Sequence, residues 1–301
     1  MFSLFKRISL FLVVNALIIF TVSMIVQIFN LQPYLNQRGI NYQTLLIFCT
    51  IWGMGGAFIS LALSKKMAKW MMGVKILEEN SFDSQANMIH EIVAKQARQL
   101  GIPKPEVGIF QSQAPNAFAT GPSRSNSLVA LSSSLINLMD EKEVEAIIGH
   151  EMAHIANGDM VTMTLLQGVI NAFVMFLARI LAQFFASSRD NRNGRSSFGA
   201  YFMFTILFEM AFMVLGSIAL CGFSRWREFR ADKGGAQLAG KENMISALRK
   251  LESLSKRGRD EKMPEAVQAL MISPVKGSLL MKLFSTHPSI ERRVERLKTQ
   301  F

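Results

Sequence analysis

His150-Glu151-Met152-Ala153-His154 puts two imidazoles four residues apart with a carboxylate between them. Residues i and i+4 share a helix face, so both rings can reach one metal ion. Glu151 would then stand beside that ion, placed to take the proton of a water acidified by the metal. The plainer explanation is two histidines on an ordinary amphipathic helix. The neighbouring residues weigh against it, because the helix opens properly. Asp140 is an N-cap, and Glu143, three residues on, completes a capping box.

A catalytic zinc takes three protein ligands and keeps a fourth position open. The other histidines are His90 and His287. His90 lies on a polar helix without a companion and reads as a surface residue. The continuation HExxHxxGxxH is absent, since Gly158 and Val161 do not match it. Glu228, in SRWREFRAD (224–232), offers a carboxylate from a separate helix. Asp232, four residues later, shares its face and can fix the tautomer of a ligating histidine. Alone, an acidic pair at this spacing is usually a solvated charge pattern. After an HExxH it reads as a ligand and its support.

The surroundings of these residues are apolar. Half of the 301 residues are hydrophobic and 18% are charged, against about a quarter in soluble domains. Ile8–Phe29 and Thr44–Leu63 carry no charge, and each is long enough to cross a bilayer. A third span runs from Met160 to about Ala186, interrupted by Arg179. A fourth runs from Ala200 to Phe223, interrupted by Glu209. Charges inside a span are costly and usually paired. In an antiparallel hairpin the two interruptions lie at similar depth, so we expect an ion pair, with a hydrated cavity as the alternative. A transporter using both groups is a further alternative, though two ionisable groups make a poor path.

The net charge of +11 suits either nucleic acid or an anionic membrane. Its distribution favours the membrane. Lys65, Lys66, Lys69 and Lys75 follow the second span, and Arg225, Arg227, Arg230 and Lys233 follow the fourth. By the positive-inside rule both termini and everything after Leu63 face the cytoplasm. Trp70 and Trp226 sit at the expected interfaces. No nucleic-acid signature is present. Cys49 and Cys221 lie in apolar runs and read as buried hydrophobes.

Between the spans, helical periodicity covers Gln85–Leu100. Strand-like runs follow at Glu106–Phe110, Asn116–Thr120 and Ser127–Ser132, with Gly121, Pro122 and Ser123 as a turn. Lys241–Lys256 and Ser289–Lys298 read as amphipathic helices.

GHEMAHIANGDMVTM (149–163), SRWREFRAD (224–232) and THPSIERR (286–293) together resemble the M48 family of gluzincin metalloproteases. The likeness runs from Lys6 to Leu297, and the order of spans is similar to that of its membrane-bound bacterial stress-response members. The resemblance implies one zinc ion per chain, held by His150, His154 and Glu228, with Glu151 as catalytic base. It implies that His287 is catalytic, stabilising an oxyanion. An edge strand near PNAFATG (115–121) is implied to bind substrate backbone through Asn116, Ala117, Phe118 and Ala119.

The expected fold is α+β, mostly helical, with four transmembrane helices and a split gluzincin-type zinc metalloprotease domain. Residues 1–63 form an N-terminal transmembrane hairpin. Residues 64–159 are the first part of the protease domain, with a small sheet and the HExxH helix. Residues 160–223 are a second hairpin, and 224–301 the second part, with the third ligand. The implied role is hydrolysis of misfolded or damaged membrane proteins at the bacterial inner membrane, with a cytoplasmic catalytic domain. Its partners are protein substrates and the lipid bilayer, and not nucleic acid. A zinc-binding scaffold without catalysis is the alternative, and retention of Glu151 argues against it.

Overall fold

The computed structural model describes residues 41–79, 82–188, 198–257 and 285–300, together with 24, 27 and 28. The first apolar span therefore lies outside the described residues, apart from those three. So does most of the loop 187–197.

Among the described residues three helices are long and apolar enough to cross a membrane. They are α1 (Tyr42–Met71), which carries the second span; a helix over Asp159–Ser188 for the third; and a helix over Phe198–Ala239 for the fourth. The last continues without a break through SRWREFRAD, so Glu228 and Asp232 stand on the helix that carries the fourth span.

Between them, β1 (Lys75–Ile76) is followed by α2 (Ser84–Leu100), β2 (Glu106–Phe110), β3 (Ala117–Ser123), β4 (Asn126–Ser132) and α3 (Ser133–Leu138). Next come α4 (Glu141–Asn157), then α5 (Asp159–Ser188) and α6 (Phe198–Ala239), the helices of the third and fourth spans. Last are α7 (Lys241–Arg257) and α8 (Ile290–Gln300). Among the described residues the fold is mostly helical with one small sheet.

The chain divides into two compact units, Met1–Ser60 with Thr164–Leu220, and Leu61–Met163 with Cys221–Phe301. In the first unit, small residues allow close helix packing. A Cβ on Gly53 would lie 2.6 Å from the backbone nitrogen of Ala172, so α1 and α5 approach backbone to backbone there. Arg179 and Glu209 form the expected ion pair, with Nη1 2.6 Å from Oε1. The guanidinium also donates to Met175 O and lies 5.8 Å from the Phe48 ring centre.

In the second unit the sheet order is β1-β2-β4-β3. β2 and β4 run parallel, and β3 pairs antiparallel with β4, leaving β3 at the edge. Gly121 and Pro122 do not form the turn expected from sequence. β3 continues through them to Ser123, with a bulge between Thr120 and Ser123. Gly121 has φ 134°, and a side chain there would overlap Asn126 O, so only glycine fits the bulge.

The core lies around α4, which packs on β3, β4, α2 and α7. Val129 and Leu131 from the sheet meet Ile148 and Met152 from α4, Val93 from α2, and Met244 and Leu248 from α7. The capping box at Asp140 and Glu143 is formed as expected, with Glu143 N donating to Asp140 Oδ1 at 2.8 Å and Asp140 N to Glu143 Oε2 at 3.2 Å. Gly158 closes α4 at φ 71°, and α5 begins at the next residue.

Candidate metal centre

α4 presents His150 and His154 on one face, 4% and 8% exposed. Their Nε2 atoms face each other at 3.2 Å. Glu228 from α6 is fully buried against both. Its Oε2 lies 3.4 Å from His150 Nε2 and its Oε1 3.3 Å from His154 Nε2.

Glycines make this approach possible. A Cβ on Gly234 would sit 2.5 Å from Ala153 Cβ, and one on Gly235 3.0 Å from His150 N. On the α4 side, a Cβ on Gly149 would meet the Gly235 backbone at 3.2 Å. A side chain at Gly234 cannot fit without a shift between the helix that carries the histidines and the one that carries Glu228, and Gly149 and Gly235 leave little room beside it.

Each histidine is backed by a carboxylate. His150 Nδ1 lies 2.9 Å from Asp232 Oδ1, and His154 Nδ1 lies 2.6 Å from Asp159 Oδ2. A carboxylate at Nδ1 fixes the Nδ1–H tautomer and leaves the Nε2 lone pair for a metal. Arginines complete the shell. Arg293, 1% exposed, grips Asp232 through Nε and Nη2, and Arg230 donates to Asp159 Oδ1.

Burial alone would push His150 down. The Asp232 and Glu228 carboxylates outweigh it and raise the imidazole to about 10. His154 is also raised, its burial offset by Asp159 and Glu228. Glu228 is held well below the usual carboxylate range despite its burial, by His287, His150 and His154. In the metal-free centre, protons on the imidazoles therefore balance the carboxylates.

The donor set fits a metal ion. His150, His154 and Glu228 are the group among the described residues whose donor atoms all lie within 4.8 Å of one another. The two Nε2 atoms face each other beside a buried Glu228 Oε1 without a hydrogen bond, an arrangement a cation would fill in place of the ring protons. The 3.2 Å between the two Nε2 atoms is also right, because a tetrahedron of that edge has its centre about 2.0 Å from each vertex, a Zn–N bond length.

The other expected site residues fall as follows. Glu151 lies next to His150 on α4 and is 6% exposed. His287 joins the centre, its Nδ1 2.7 Å from Glu228 Oε2. Ser285 and Arg225 hold its segment: Ser285 Oγ donates to His287 O, and Arg225 donates to Ser285 O. Ala117, Phe118 and Ala119 lie on β3, at the sheet edge, and Asn116 directly precedes it, its N–H donating to Ser132 Oγ. Phe118 packs on Phe110 with ring centres 5.4 Å apart, while Ala117 joins the core around α4. His90 is buried rather than on the surface, its Nε2 3.2 Å from Leu77 O.

Three residues of the centre were not singled out from sequence. Arg293 had a signal: it falls in the apolar stripe Ile290, Val294, Leu297 of α8, where a charge needs a buried partner. Asp159 and Arg230 had only positional hints, one directly after the glycine that ends the HExxH helix, the other two residues beyond Glu228.

Comparison with known proteins agrees with this geometry. Residues 83–300 match Peptidase family M48. The chain belongs to peptidase family M48. Protease HtpX of Thioalkalivibrio sulfidiphilus is 47% identical over 97% of this chain and 98% of its own length. The Protease HtpX homolog of Bacillus subtilis is 43% identical over 98% of this chain and 99% of its own. Among solved structures, S. mikatae Ste24p has the same fold, with a TM-score of 0.60 at 16% identity. The similarity covers 93% of this chain and 66% of that one. With its apolar helices, this M48 chain is a membrane metalloprotease.

Proposed function

We propose that the chain is a zinc-dependent endopeptidase of the bacterial inner membrane. Its catalytic domain faces the cytoplasm, and it cleaves misfolded or damaged membrane proteins in a stress response. The observation that carries the proposal is the convergence of His150, His154 and Glu228 beside Glu151.

One zinc ion per chain would be held by His150 Nε2, His154 Nε2 and Glu228. Bound there, it supplies Lewis acidity, which polarises the scissile carbonyl and makes water a better nucleophile at neutral pH. Glu151 accepts a proton from the attacking water and passes it to the leaving amine. Asp232 holds His150 in the ligating tautomer. His287, brought to the centre by the contact of its Nδ1 with Glu228 Oε2, is the residue we assign to stabilise the developing oxyanion. Among the described residues β3 is an edge strand, so a substrate strand can add to it and be held mainly by its backbone. Strand addition suits an enzyme that reads many sequences. The orientation rests on the lysines after the second span and the basic residues after the fourth.

The test compares purified wild type with Glu151→Gln, both zinc-loaded, on an unfolded protein substrate. The expected result is one zinc in each and cleavage by wild type alone, at least a hundredfold faster, the scale of a positioned general base. Zinc in both with cleavage by neither would favour a binding scaffold.

A further inference from the structure

Two carboxylates back the two imidazoles, and only Asp232 belongs to the acidic pair with Glu228. The other, Asp159, is 1% exposed. A carboxylate so deeply buried needs close partners. It has His154 Nδ1 at 2.6 Å, the Arg230 guanidinium, and Arg227 Nε at 3.8 Å.

Its placement follows from the turn that ends α4. Gly158 adopts φ 71°, and its N–H returns to the carbonyls of His154 and Ile155. The chain reverses beside the second histidine, and Asp159 is the first residue of α5. Arg230 arrives from α6, two residues after Glu228, and rests on the Trp226 ring, 5.0 Å from its centre. His154–Asp159–Arg230 thus repeats the order of His150–Asp232–Arg293: ring Nδ1 to carboxylate, carboxylate to guanidinium.

We propose that Asp159, itself held by Arg230, is a positioning residue of the metal centre. It fixes His154 as the Nδ1–H tautomer and turns Nε2 toward the ion. This rests on the metalloprotease reading above. A simpler role exists, since an acid in the first turn of α5 complements the helix dipole. That role is served equally well by an exposed carboxylate and does not need contact with a ring nitrogen.

The test uses the full chain in detergent, stripped of metal: wild type, Asp159→Asn, Asp159→Ala and Arg230→Gln. Zinc affinity is measured by chelator competition, the visible spectrum after loading with Co2+, and thermal unfolding without metal. Wild type that binds no zinc would defeat the metalloprotease reading itself, before the variants are compared. Given a zinc-binding wild type, Asp159→Ala is expected to weaken zinc about 10–100-fold and to alter the Co2+ spectrum. Asp159→Asn, which keeps an acceptor but no charge, should fall between, and Arg230→Gln should lose less than Asp159→Ala. A helix-dipole role alone lowers thermal stability and leaves the metal readouts unmoved. Zinc affinity within about twofold of wild type and an unchanged Co2+ spectrum, in whichever Asp159 variants fold, would overturn the proposal.

Discussion

Asp159, Glu228 and Asp232 crowd two imidazoles in a space almost closed to solvent, and that crowding makes metal binding pH-dependent. His150, raised to about 10, is protonated through the neutral range in the metal-free centre, and His154 is raised in the same direction. An ion at Nε2 must displace these protons, so its apparent affinity rises with pH, by about tenfold per unit for each proton released. Chelator competition at pH 6, 7 and 8 reads this slope, and a flat profile would mean imidazoles already neutral without metal. The ligands were legible in sequence because His150 and His154, and Glu228 and Asp232, each sit one helical turn apart, where spacing dictates geometry. Asp159 and Arg230 meet across 71 residues of chain, and no local pattern reports such a contact.

At the scale of elements, helices were easier to read than the sheet. The capping box announced α4, and the amphipathic periods of α2, α7 and α8 matched the structure to within a few residues. Gly121 and Pro122 usually mark turns and so end the expected strand at Thr120, whereas in the structure they make a bulge inside β3. What sequence did not reveal is why α4 and α6 meet so closely. Gly234 answers that, since any side chain there drives into Ala153. Gly234→Val is expected to cost about 1–3 kcal/mol through overpacking. Because it parts the histidines from Glu228, it should also weaken zinc binding by more than about tenfold. Gly222→Ala is the control: its Cβ would meet nothing closer than 3.7 Å, and alanine suits a helix better than glycine by about 0.5–1 kcal/mol. Zinc affinity retained in Gly234→Val would show that the close helix contact does not set the ligand geometry.

At the scale of the whole molecule, the chain combines a metalloprotease centre with long apolar spans. Arg179 and Glu209 are the charged residues that interrupt the third and fourth spans, and they close on each other at 2.6 Å. Satisfied in this way, the pair supports a role in matching the two spans and weakens the case for a transport path. Their similar depth is legible from counting residues, because both interruptions lie a similar distance from the loop between the spans. Reversing one charge leaves two like charges facing each other in the spans. A charged residue near the centre of a membrane helix costs about 2.5–3.5 kcal/mol on insertion scales even without a repelling neighbour. Arg179→Glu and Glu209→Arg should each reduce the amount of intact protein in the membrane fraction severalfold. The double variant restores opposite charges at the same depth and should recover most of that loss, with the zinc content per chain unchanged. Quantifying membrane-fraction protein for all four forms decides the matter: a double variant no better than either single one would mean that the two residues act separately, each through its own surroundings.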